Sequence, residues 1–346
     1  ELCKRTPWRE GLGIALERPG EGELGAADRL KEIMSSFSAT QLSDYAQCPF
    51  LHFCRWVLRL KPLPNRAEEG LSPTLQGGIV HETLQRYYSE LAVNKSAPPI
   101  TSLEAHFQES FASKTRGIPL GFKEEKLKRE MLQALKAFAE QDREYITRFD
   151  FRPRYAEVGF GKETAGRSLA VHGDVTTPTS LPPLELRDKK GNRIRLTGRI
   201  DRIDVAEMDD ETLGLVIDYK YSKEAAHGNK LIKDLREGND LQLPIYVMVA
   251  RDLLGLRPVG AQFYSLRPPG RSGIIALPLP NKGEHMSQED MEALLESCKE
   301  HLFRQVEGIL AGDKRVSPRD VQYCHNWCGY KDVCRFERGH RKRHEG

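Results

Sequence analysis

The sequence feature that most constrains the fold is the stretch 213–220, Leu-Gly-Leu-Val-Ile-Asp-Tyr-Lys. An apolar run of this length with branched side chains is typical of a buried β-strand. A second apolar, β-branched run occupies 193–205, and the acidic stretch 207–211 between the two is short enough to form a turn. We therefore predict a hairpin of two neighbouring strands, 193–205 and 213–221.

Charged side chains end both strands of this predicted hairpin. Side chains alternate along a strand, so Asp218 and Lys220 point the same way while Tyr219 points to the other face. The pairing brings Asp201, the last residue of Gly-Arg-Ile-Asp, next to Asp218. Two carboxylates and an ammonium suit a divalent cation with oxygen ligands, and the ammonium can hold an anion or activate a water.

The remainder of the chain is long enough to bury a large core around this hairpin. Its 346 residues accommodate one large domain or two ordinary ones, and 39% hydrophobic with 30% charged residues is typical of a soluble globular protein. No apolar run approaches the length of a membrane span, and no stretch resembles a signal peptide. We expect no membrane association and a cytoplasmic, nucleoid-associated location.

Helical periodicity dominates the part of the chain before the hairpin. Residues 38–41 form a capping box, and Cys48-Pro49 separates a first helix from a second. A third helix follows Gly77-Gly78 and runs to about Val93, with His81 on its buried apolar stripe near its start. Two further helices are predicted at 102–115 and 124–148, and a short one at 26–34 within a weakly patterned lead-in.

From residue 154 the pattern changes to period two, which indicates an α/β core. Strands are predicted at 155–160, 261–266 and 273–277, with a loop at 178–183. A helix at 240–254 carries Gln242 and Tyr246 four residues apart, hence on one face. A long helix at 288–310 precedes the cysteine-rich end.

The cysteines point to a bound metal rather than to disulfides. Seven cysteines are an odd number in a chain without an export signal. Cys324, Cys328 and Cys334 lie within eleven residues, and Cys48, at a helix break, is the natural fourth ligand, with Cys54 or His325 as competitors. Four thiolates suit either zinc or an iron–sulfur cluster, and the spacing does not decide between them.

Taken together, these residues resemble a known family. The order Cys48, His81, Asp201, Asp218-x-Lys220, Gln242-x-x-x-Tyr246 and a terminal cysteine triplet resembles the PD-(D/E)xK nucleases of the RecB/AddB type. The resemblance is greatest to the branch with an iron–sulfur staple, which includes the CRISPR adaptation nucleases, and it covers about residues 38–338.

The resemblance implies a fold, a reaction and a set of roles. The fold is α/β, a mixed central sheet flanked by helices (a restriction-endonuclease-like core), with an N-terminal helical region and a C-terminal cysteine-rich staple. The reaction is hydrolysis of DNA phosphodiesters with Mg²⁺ or Mn²⁺. The implied metal ligands are His81, Asp201 and Asp218, with Glu157 at the family's additional acidic position. Lys220 is implied to position water or stabilise charge, with Gln242 and Tyr246 bordering the site.

The cysteines carry over to the ligands of a 4Fe–4S cluster, with zinc as the alternative. They are Cys48, Cys324, Cys328 and Cys334. One departure is that three residues, not the usual two, separate Cys324 from Cys328. The resemblance divides the chain into a lead-in at 1–37, a nuclease domain at 38–338 with parts 38–150, 151–280 and 281–338, and a basic tail at 339–346.

The expected activity is that of an exonuclease on single-stranded DNA ends in recombination or repair, with a partner helicase or helicase-like region. We expect either an excised nuclease domain or a stand-alone relative. DNA contacts are expected from the basic tail, from Arg199 and Arg202, and from Tyr219 and Tyr221. The alternative function is a DNA-binding scaffold with a vestigial nuclease site inside a larger helicase–nuclease complex.

Each residue also has an ordinary structural alternative. A histidine on an apolar helix face is more often a satisfied core residue, and Asp201 between two arginines can belong to a surface ion-pair ladder. Asp218 and Lys220 can form a charge pair at a sheet edge, and Glu157 can be a solvated strand residue. All of these alternatives would have to hold at once to remove the predicted site.

Overall fold

The computed structural model describes residues 34–62, 70–94, 99–161, 180–208, 210–221, 228–279 and 284–334. The helix predicted in the lead-in falls outside these residues except for Met34, and the basic tail lies wholly outside them.

The first described elements follow the predicted cap and break. They are strand β1 (Phe37–Ser38), helix α1 (Ala39–Gln47), helix α2 (Pro49–His52) and one turn of π-helix (Phe53–Val57). The Ser38 side chain accepts a hydrogen bond from the Gln41 N–H at 3.3 Å, which satisfies one free donor at the start of α1. Proline opens α2, where its missing N–H costs nothing.

Three long helices come next: α3 (Pro73–Asn94), α4 (Ile100–Lys114) and α5 (Phe122–Phe149). The start predicted for α3 after Gly77-Gly78 is wrong, because the helix begins at Pro73, four residues before Gly77. Both glycines lie inside it, and a side chain at Gly78 would meet the Lys114 chain at 3.7 Å. The glycines therefore belong to a helix interior and not to a turn.

The central sheet contains the predicted hairpin. Its strands after β1 are β2 (Arg152–Phe160), β3 (Ser180–Leu181), β4 (Leu184–Arg187), β5 (Arg193–Met208), β6 (Glu211–Lys220), β7 (Arg257–Leu266), β8 (Pro269–Ile275) and β9 (Glu284–His285). The main order is β3-β2-β5-β6-β7-β8-β9, with β1 and β4 also paired to β5. Residues 180–181 pair with β2 in parallel, so the loop predicted there is partly wrong.

The sheet is mixed, and the hairpin is its centre. Strands β5 and β6 are antiparallel, whereas β6 and β7 are parallel, with helices α6 (Gly228–Arg236) and α7 (Gln242–Asp252) lying between β6 and β7 in the chain. The last described helices are α8 (Gln288–Leu310), α9 (Val321–Asn326) and α10 (Lys331–Cys334). The helices predicted at 240–254 and 288–310 are confirmed.

Two apolar cores cover the two faces of the sheet. One core contains residues of α3, α4 and α5 with Leu213, Leu215 and Ile217 of β6. The other contains residues of α1, α6, α7 and α8 with Val216. Because both faces are covered, β6 reads as a continuous apolar run. The predicted α/β class with a flanked mixed sheet is confirmed. Among the described residues, no helix is both long and apolar enough to cross a membrane.

Candidate active site

The site lies where the β5–β6 ladder ends. The last backbone pair on this side joins Arg202 to Ile217, and Asp201 and Asp218 each come one residue beyond it. There the Tyr219 N–H donates to Asp201 Oδ2 at 2.8 Å, so that a side chain replaces the backbone carbonyl as acceptor. The structure therefore brings the two predicted carboxylates together at one strand end.

A third carboxylate, Glu157, joins this pair from β2. Its neighbours on β2 pair with the neighbours of Asp201 on β5, so Glu157 stands opposite Asp201. Glu157 has a φ of 51°, in the left-handed region that side-chain-bearing residues rarely adopt. Such a conformation costs about 1–3 kcal/mol and persists only where surrounding contacts enforce it, which is often at functional sites.

His81 of α3 approaches both carboxylates. Its Nδ1 lies 3.2 Å from Asp201 Oδ1 and 3.6 Å from Glu157 Oε1. The His81 side chain is 31% exposed, whereas Leu84 and Tyr88 on the same helix are buried. The prediction that His81 lies on the buried stripe is therefore wrong. It lies at the rim of that stripe, over the end of the ladder, where solvent can reach it.

Asp218 and Lys220 form a second group with α7. Lys220 Nζ lies 2.6 Å from Asp218 Oδ2 and donates to Gln242 Oε1 at 3.1 Å. The Gln242 amide donates to Asp218 Oδ1 at 2.7 Å and to the Tyr246 hydroxyl at 3.1 Å. Four of the five predicted catalytic residues thus contact one another here, and Gln242 and Tyr246 share a helix face as expected.

Burial and mutual charge shift the ionisation of this site. Burial alone would lower the pKa of His81, but the carboxylates of Asp201 and Glu157 outweigh it and raise that pKa to about 10. Burial, with the neighbouring Asp201 charge, raises the pKa of Asp218 to about 7, and Lys220 only partly offsets this. Without a cation, the site therefore retains protons that a cation would have to displace.

The donor set fits a small divalent cation. One ligand atom each from His81, Glu157 and Asp201 lies within 4.8 Å of the other two. Neighbouring ligands of an octahedral Mg²⁺ at about 2.1 Å are about 3 Å apart, close to the distances seen here. Carboxylate oxygens suit Mg²⁺ and Mn²⁺, and an imidazole shifts the preference toward Mn²⁺. Asp218 is not one of these three; its oxygens face Gln242 and Lys220.

One buried carboxylate oxygen in the site accepts no hydrogen bond among the described residues. It is Glu157 Oε1, which lies 3.6 Å from His81 Nδ1, whereas Asp218 Oδ2 is paired with the Lys220 ammonium at 2.6 Å. A buried acceptor without a donor is costly. Acceptors of this kind beside a ligand-spaced group are what a cation-binding site would leave when no cation is bound.

The four cysteines predicted to bind a metal centre line one small cavity. In the sequence they lie before and after the stretch that supplies the active-site residues. They are Cys48, Cys324, Cys328 and Cys334, and Phe50, Tyr323 and Tyr330 are among the side chains around them. Cys54 is buried in the same apolar cluster but does not line the cavity. Burial and the neighbouring thiols raise the pKa of Cys324 to about 12. His325 is exposed and does not line the cavity either.

The spacing of these thiols bears on the size of the group they could hold. Among the described residues, no three cysteine sulfurs lie within 4.8 Å of one another. Sulfurs around a tetrahedral zinc with bonds of about 2.3 Å are about 3.8 Å apart. Four thiols that line one cavity could hold either a zinc ion or an iron–sulfur cluster.

Two of the predicted DNA contacts are wrong. Arg202 is completely buried and pairs with Asp142 of α5 at 2.7 Å, and Tyr219 is buried between the sheet and α5. Strand alternation was the available signal, since a residue next to Asp201 must face the opposite layer. Asp142 itself could not be found from sequence, because nothing near it in the chain identifies a partner 60 residues away.

The sequence profile described as "PD-(D/E)XK nuclease superfamily" matches residues 36–335. The crystal structure of SSO0001 aligns with 75% of this chain and 94% of its own at 14% identity, but its TM-score of 0.26 is too low to carry an argument.

Several curated relatives are each named as one subunit of an ATP-dependent helicase/deoxyribonuclease. The protein from Natranaerobius thermophilus is 30% identical over 64% of this chain and 18% of its own length. That from Moorella thermoacetica is 30% identical over 67% of this chain and 20% of its own. The one from Caldanaerobacter subterraneus subsp. tengcongensis is 23% identical over 87% and 30%. The chain thus spans less than a third of the length of these relatives.

Proposed function

The chain belongs to the PD-(D/E)XK nuclease superfamily, and from this membership we propose that it is a metal-dependent nuclease that hydrolyses DNA phosphodiester bonds. The relatives named as subunits of a helicase/deoxyribonuclease support DNA as the substrate. The single observation that carries the proposal is the group formed by His81, Glu157 and Asp201, in which the buried Glu157 Oε1 accepts no hydrogen bond.

We assign the cation to His81, Asp201 and Glu157, with Asp218 as a further ligand once its proton is lost. A bound Mg²⁺ or Mn²⁺ supplies an activated water at neutral pH and stabilises charge that develops on the phosphate. Lys220 holds Asp218 and Gln242 in place and presents its ammonium, 33% exposed, to an incoming phosphate. Gln242 and Tyr246 orient Asp218 from α7.

For the cysteine cavity we propose a 4Fe–4S cluster held by Cys48, Cys324, Cys328 and Cys334, with zinc as the alternative. The four thiols that line one cavity support a bound metal centre at this place. The cluster would tie the start of α2 to the region of α9 and α10, at the other end of the described chain. Its proposed role is structural, because the cysteines that line the cavity and the carboxylates of the ligand group are separate sets of residues.

We propose an exonuclease on single-stranded ends in recombination or repair, acting beside a helicase in the cytoplasm at the nucleoid. The names of the relatives support the helicase partner. We also propose the nuclease domain at 38–338, with its helical, catalytic and C-terminal parts at 38–150, 151–280 and 281–338.

The proposed activity is tested with single-stranded DNA labelled at one end or the other. Purified protein is incubated with Mg²⁺, with Mn²⁺ or with a chelator, and the products are separated by length. We expect cleavage with either metal and none with the chelator. Asp218→Ala should abolish cleavage while the melting temperature stays near that of the unmodified protein. Full activity of this variant would refute the assignment of the site.

The cluster is tested independently by spectroscopy and metal analysis. Protein purified without oxygen should be brown, absorb in the iron–sulfur charge-transfer region and contain iron. Cys334→Ser should lose iron and the absorbance. Stoichiometric zinc without iron would establish the alternative centre and leave the nuclease proposal untouched.

A further inference from the structure

Arg199 lies at the open side of the candidate site. It precedes Asp201 by two residues on β5, so both side chains leave the strand on the same side. Arg199 Nε lies 3.0 Å from Glu157 Oε2, and the Arg199 side chain is 61% exposed while that of Glu157 is 7% exposed. The Arg199 side chain therefore extends from the buried Glu157 carboxylate to the solvent.

The two oxygens of Glu157 face different partners. Oε2 meets Arg199, whereas Oε1 lies 3.6 Å from His81 Nδ1 and accepts no hydrogen bond. One carboxylate thus spans the space between the ligand group and the arginine. Partners of this kind orient metal ligands, and their loss typically weakens metal affinity about 10–100-fold.

The terminal nitrogens of Arg199 are left for another ligand. Its ion pair with Glu157 is through Nε, and no hydrogen bond from either of its two Nη groups is found among the described residues. A guanidinium offers paired donors in a planar fork that matches two phosphate oxygens. The exposure of the side chain leaves that fork accessible to DNA.

We propose that Arg199 binds a DNA phosphate through its Nη groups while its Nε holds Glu157 in position for the cation. The inference rests on the proposed function, since it names how the substrate of that same site is held. It makes Arg199 a substrate-binding residue and a positioning residue for Glu157.

Electrostatics favours a phosphate at this place. Glu157, Asp201 and Asp218 are buried carboxylates whose charges repel an approaching polyanion, and such repulsion is strong where water is excluded. Lys220 also contacts Asp218 and Gln242, so its single charge does not offset three carboxylates. Arg199 adds positive charge on the exposed side of the group, where the backbone of a DNA strand would enter.

The same strand offers a matched control. Arg195 of β5 pairs with Glu185 of β4 at 2.8 Å and is 55% exposed, so it is a comparable cross-strand arginine–glutamate pair. It lies four residues, or about 13 Å along the strand, before Arg199. Arg195→Gln removes the same charge from the same strand without touching Glu157.

The first test measures binding of a single-stranded oligonucleotide in chelator over a series of salt concentrations. One lost phosphate contact to a single strand should reduce the slope of log K against log salt by about 0.7. We expect that reduction for Arg199→Gln, and a slope unchanged from the unmodified protein for Arg199→Lys and Arg195→Gln. The lysine keeps the charge but lacks the fork.

The second test separates positioning from binding during cleavage. We expect the Mn²⁺ concentration for half-maximal activity to rise about tenfold in both Arg199→Gln and Arg199→Lys, because neither holds Glu157 with a guanidinium. The KM for DNA should rise clearly only in Arg199→Gln. At saturating metal and DNA, kcat should stay within about threefold in each variant.

The outcomes separate this inference from the proposed function. An unchanged salt slope in Arg199→Gln, or an equal fall in Arg195→Gln, would overturn the inference even if the unmodified protein cleaves DNA. Absence of cleavage by the unmodified protein would overturn the proposed function alone, since the salt slopes are measured without cleavage. Melting temperatures within a few degrees of the unmodified protein establish that each variant is folded.

Discussion

Two clusters of buried charge meet on strand β5, and adjacent residues belong to different clusters. Asp201 belongs to the candidate site, and Arg202 belongs to a network on the face covered by α3 and α5. The two clusters contain the same kinds of group and lie at similar depth. They differ in whether every carboxylate oxygen accepts a hydrogen bond.

The Arg202 network is closed, meaning that every carboxylate oxygen in it accepts a hydrogen bond. Arg202 donates to Asp142 at 2.7 Å and to both oxygens of Asp204 at 2.5 Å, and Arg271 donates to the other oxygen of Asp142. The Tyr88 hydroxyl also donates to Asp142. Two arginines balance two aspartates, and every carboxylate oxygen accepts at least one hydrogen bond. Burial would raise the pKa of Asp142, but Arg202 and Arg271 outweigh it and lower that pKa.

The candidate site is open by comparison. Glu157 Oε1 accepts no hydrogen bond, and the side chains of His81, Lys220 and Arg199 are between 31% and 61% exposed. A closed network stabilises one conformation without a ligand. An unsatisfied acceptor beside exposed cationic side chains is instead a place where binding of a cation and a phosphate would gain free energy.

Tyr219 joins the two clusters. Its N–H donates to Asp201, its hydroxyl accepts from Arg202 at 3.4 Å, and its ring packs edge-on against His81 at 6.0 Å. The closed network therefore holds the backbone that positions the open site. Three predictions test whether the candidate site serves activity while the Arg202 network serves stability.

The largest expected effect is on activity and comes from the open site. Asp201→Asn keeps the shape but removes the charge, so we expect kcat to fall about 10³-fold, equivalent to about 4 kcal/mol in the activation free energy. The free energy of unfolding should change by less than about 1 kcal/mol. Cleavage kinetics and denaturant unfolding measure the two quantities. A large loss of stability would contradict the division between the clusters.

The next effect is on stability and comes from the closed network. Arg202→Met leaves two buried carboxylates without their main partner, so the free energy of unfolding should fall by about 3–5 kcal/mol. Arg257→Met, at an exposed arginine paired with Glu211, should change it by less than about 0.5 kcal/mol. Urea unfolding of both variants provides the measurement. Equal changes in the free energy of unfolding of the two variants would mean that the network stabilises the fold no more than an exposed ion pair does.

The smallest effect is a pH dependence of the open site. In the folded, cation-free protein the pKa of His81 is raised to about 10 and that of Asp218 to about 7. Protons on these groups stabilise the fold below the unfolded pKa values, and this stability is lost as pH rises through the folded ones. The cation-free melting temperature should therefore fall between about pH 6 and about pH 9. Mg²⁺ should raise it more at the higher pH, because fewer protons compete there.

The control for this pH dependence is Asp218→Asn, which removes one of the two titrating groups. Its cation-free melting temperature should depend less on pH near 7, while the contribution from His81 at higher pH remains. Differential scanning fluorimetry in buffers matched for ionic strength records both. A stabilisation by Mg²⁺ that is equal at all pH values would contradict proton displacement.

Much of the fold and of the site followed from local patterns. The hairpin was predictable because a buried strand must be apolar and a turn must be polar, and the pairing of Asp201 with Asp218 followed from that hairpin. The helix bearing Gln242 and Tyr246 followed from its period, and the cysteine grouping from spacing. The resemblance to a family then connected His81 and Cys48 to residues far along the chain.

Other features needed the tertiary structure. Glu157 was implied as a ligand only by the family resemblance, since by itself it reads as a solvated strand glutamate, and the pairing of β2 with β5 shows how it reaches Asp201. Arg202 reads as a surface cation beside Asp201, yet it is buried against a helix residue 60 positions away. The rim position of His81 depends on where the ladder ends beneath α3.

The sequence by itself determined which residues could bind a cation and roughly which strand ends would carry them, because strand and helix periods are local properties. Only the tertiary structure decided which of the buried charges are closed into a network and which are left open. That distinction depends on partner residues supplied by other helices and strands. Because these partners lie far away in the chain, local sequence patterns do not identify them.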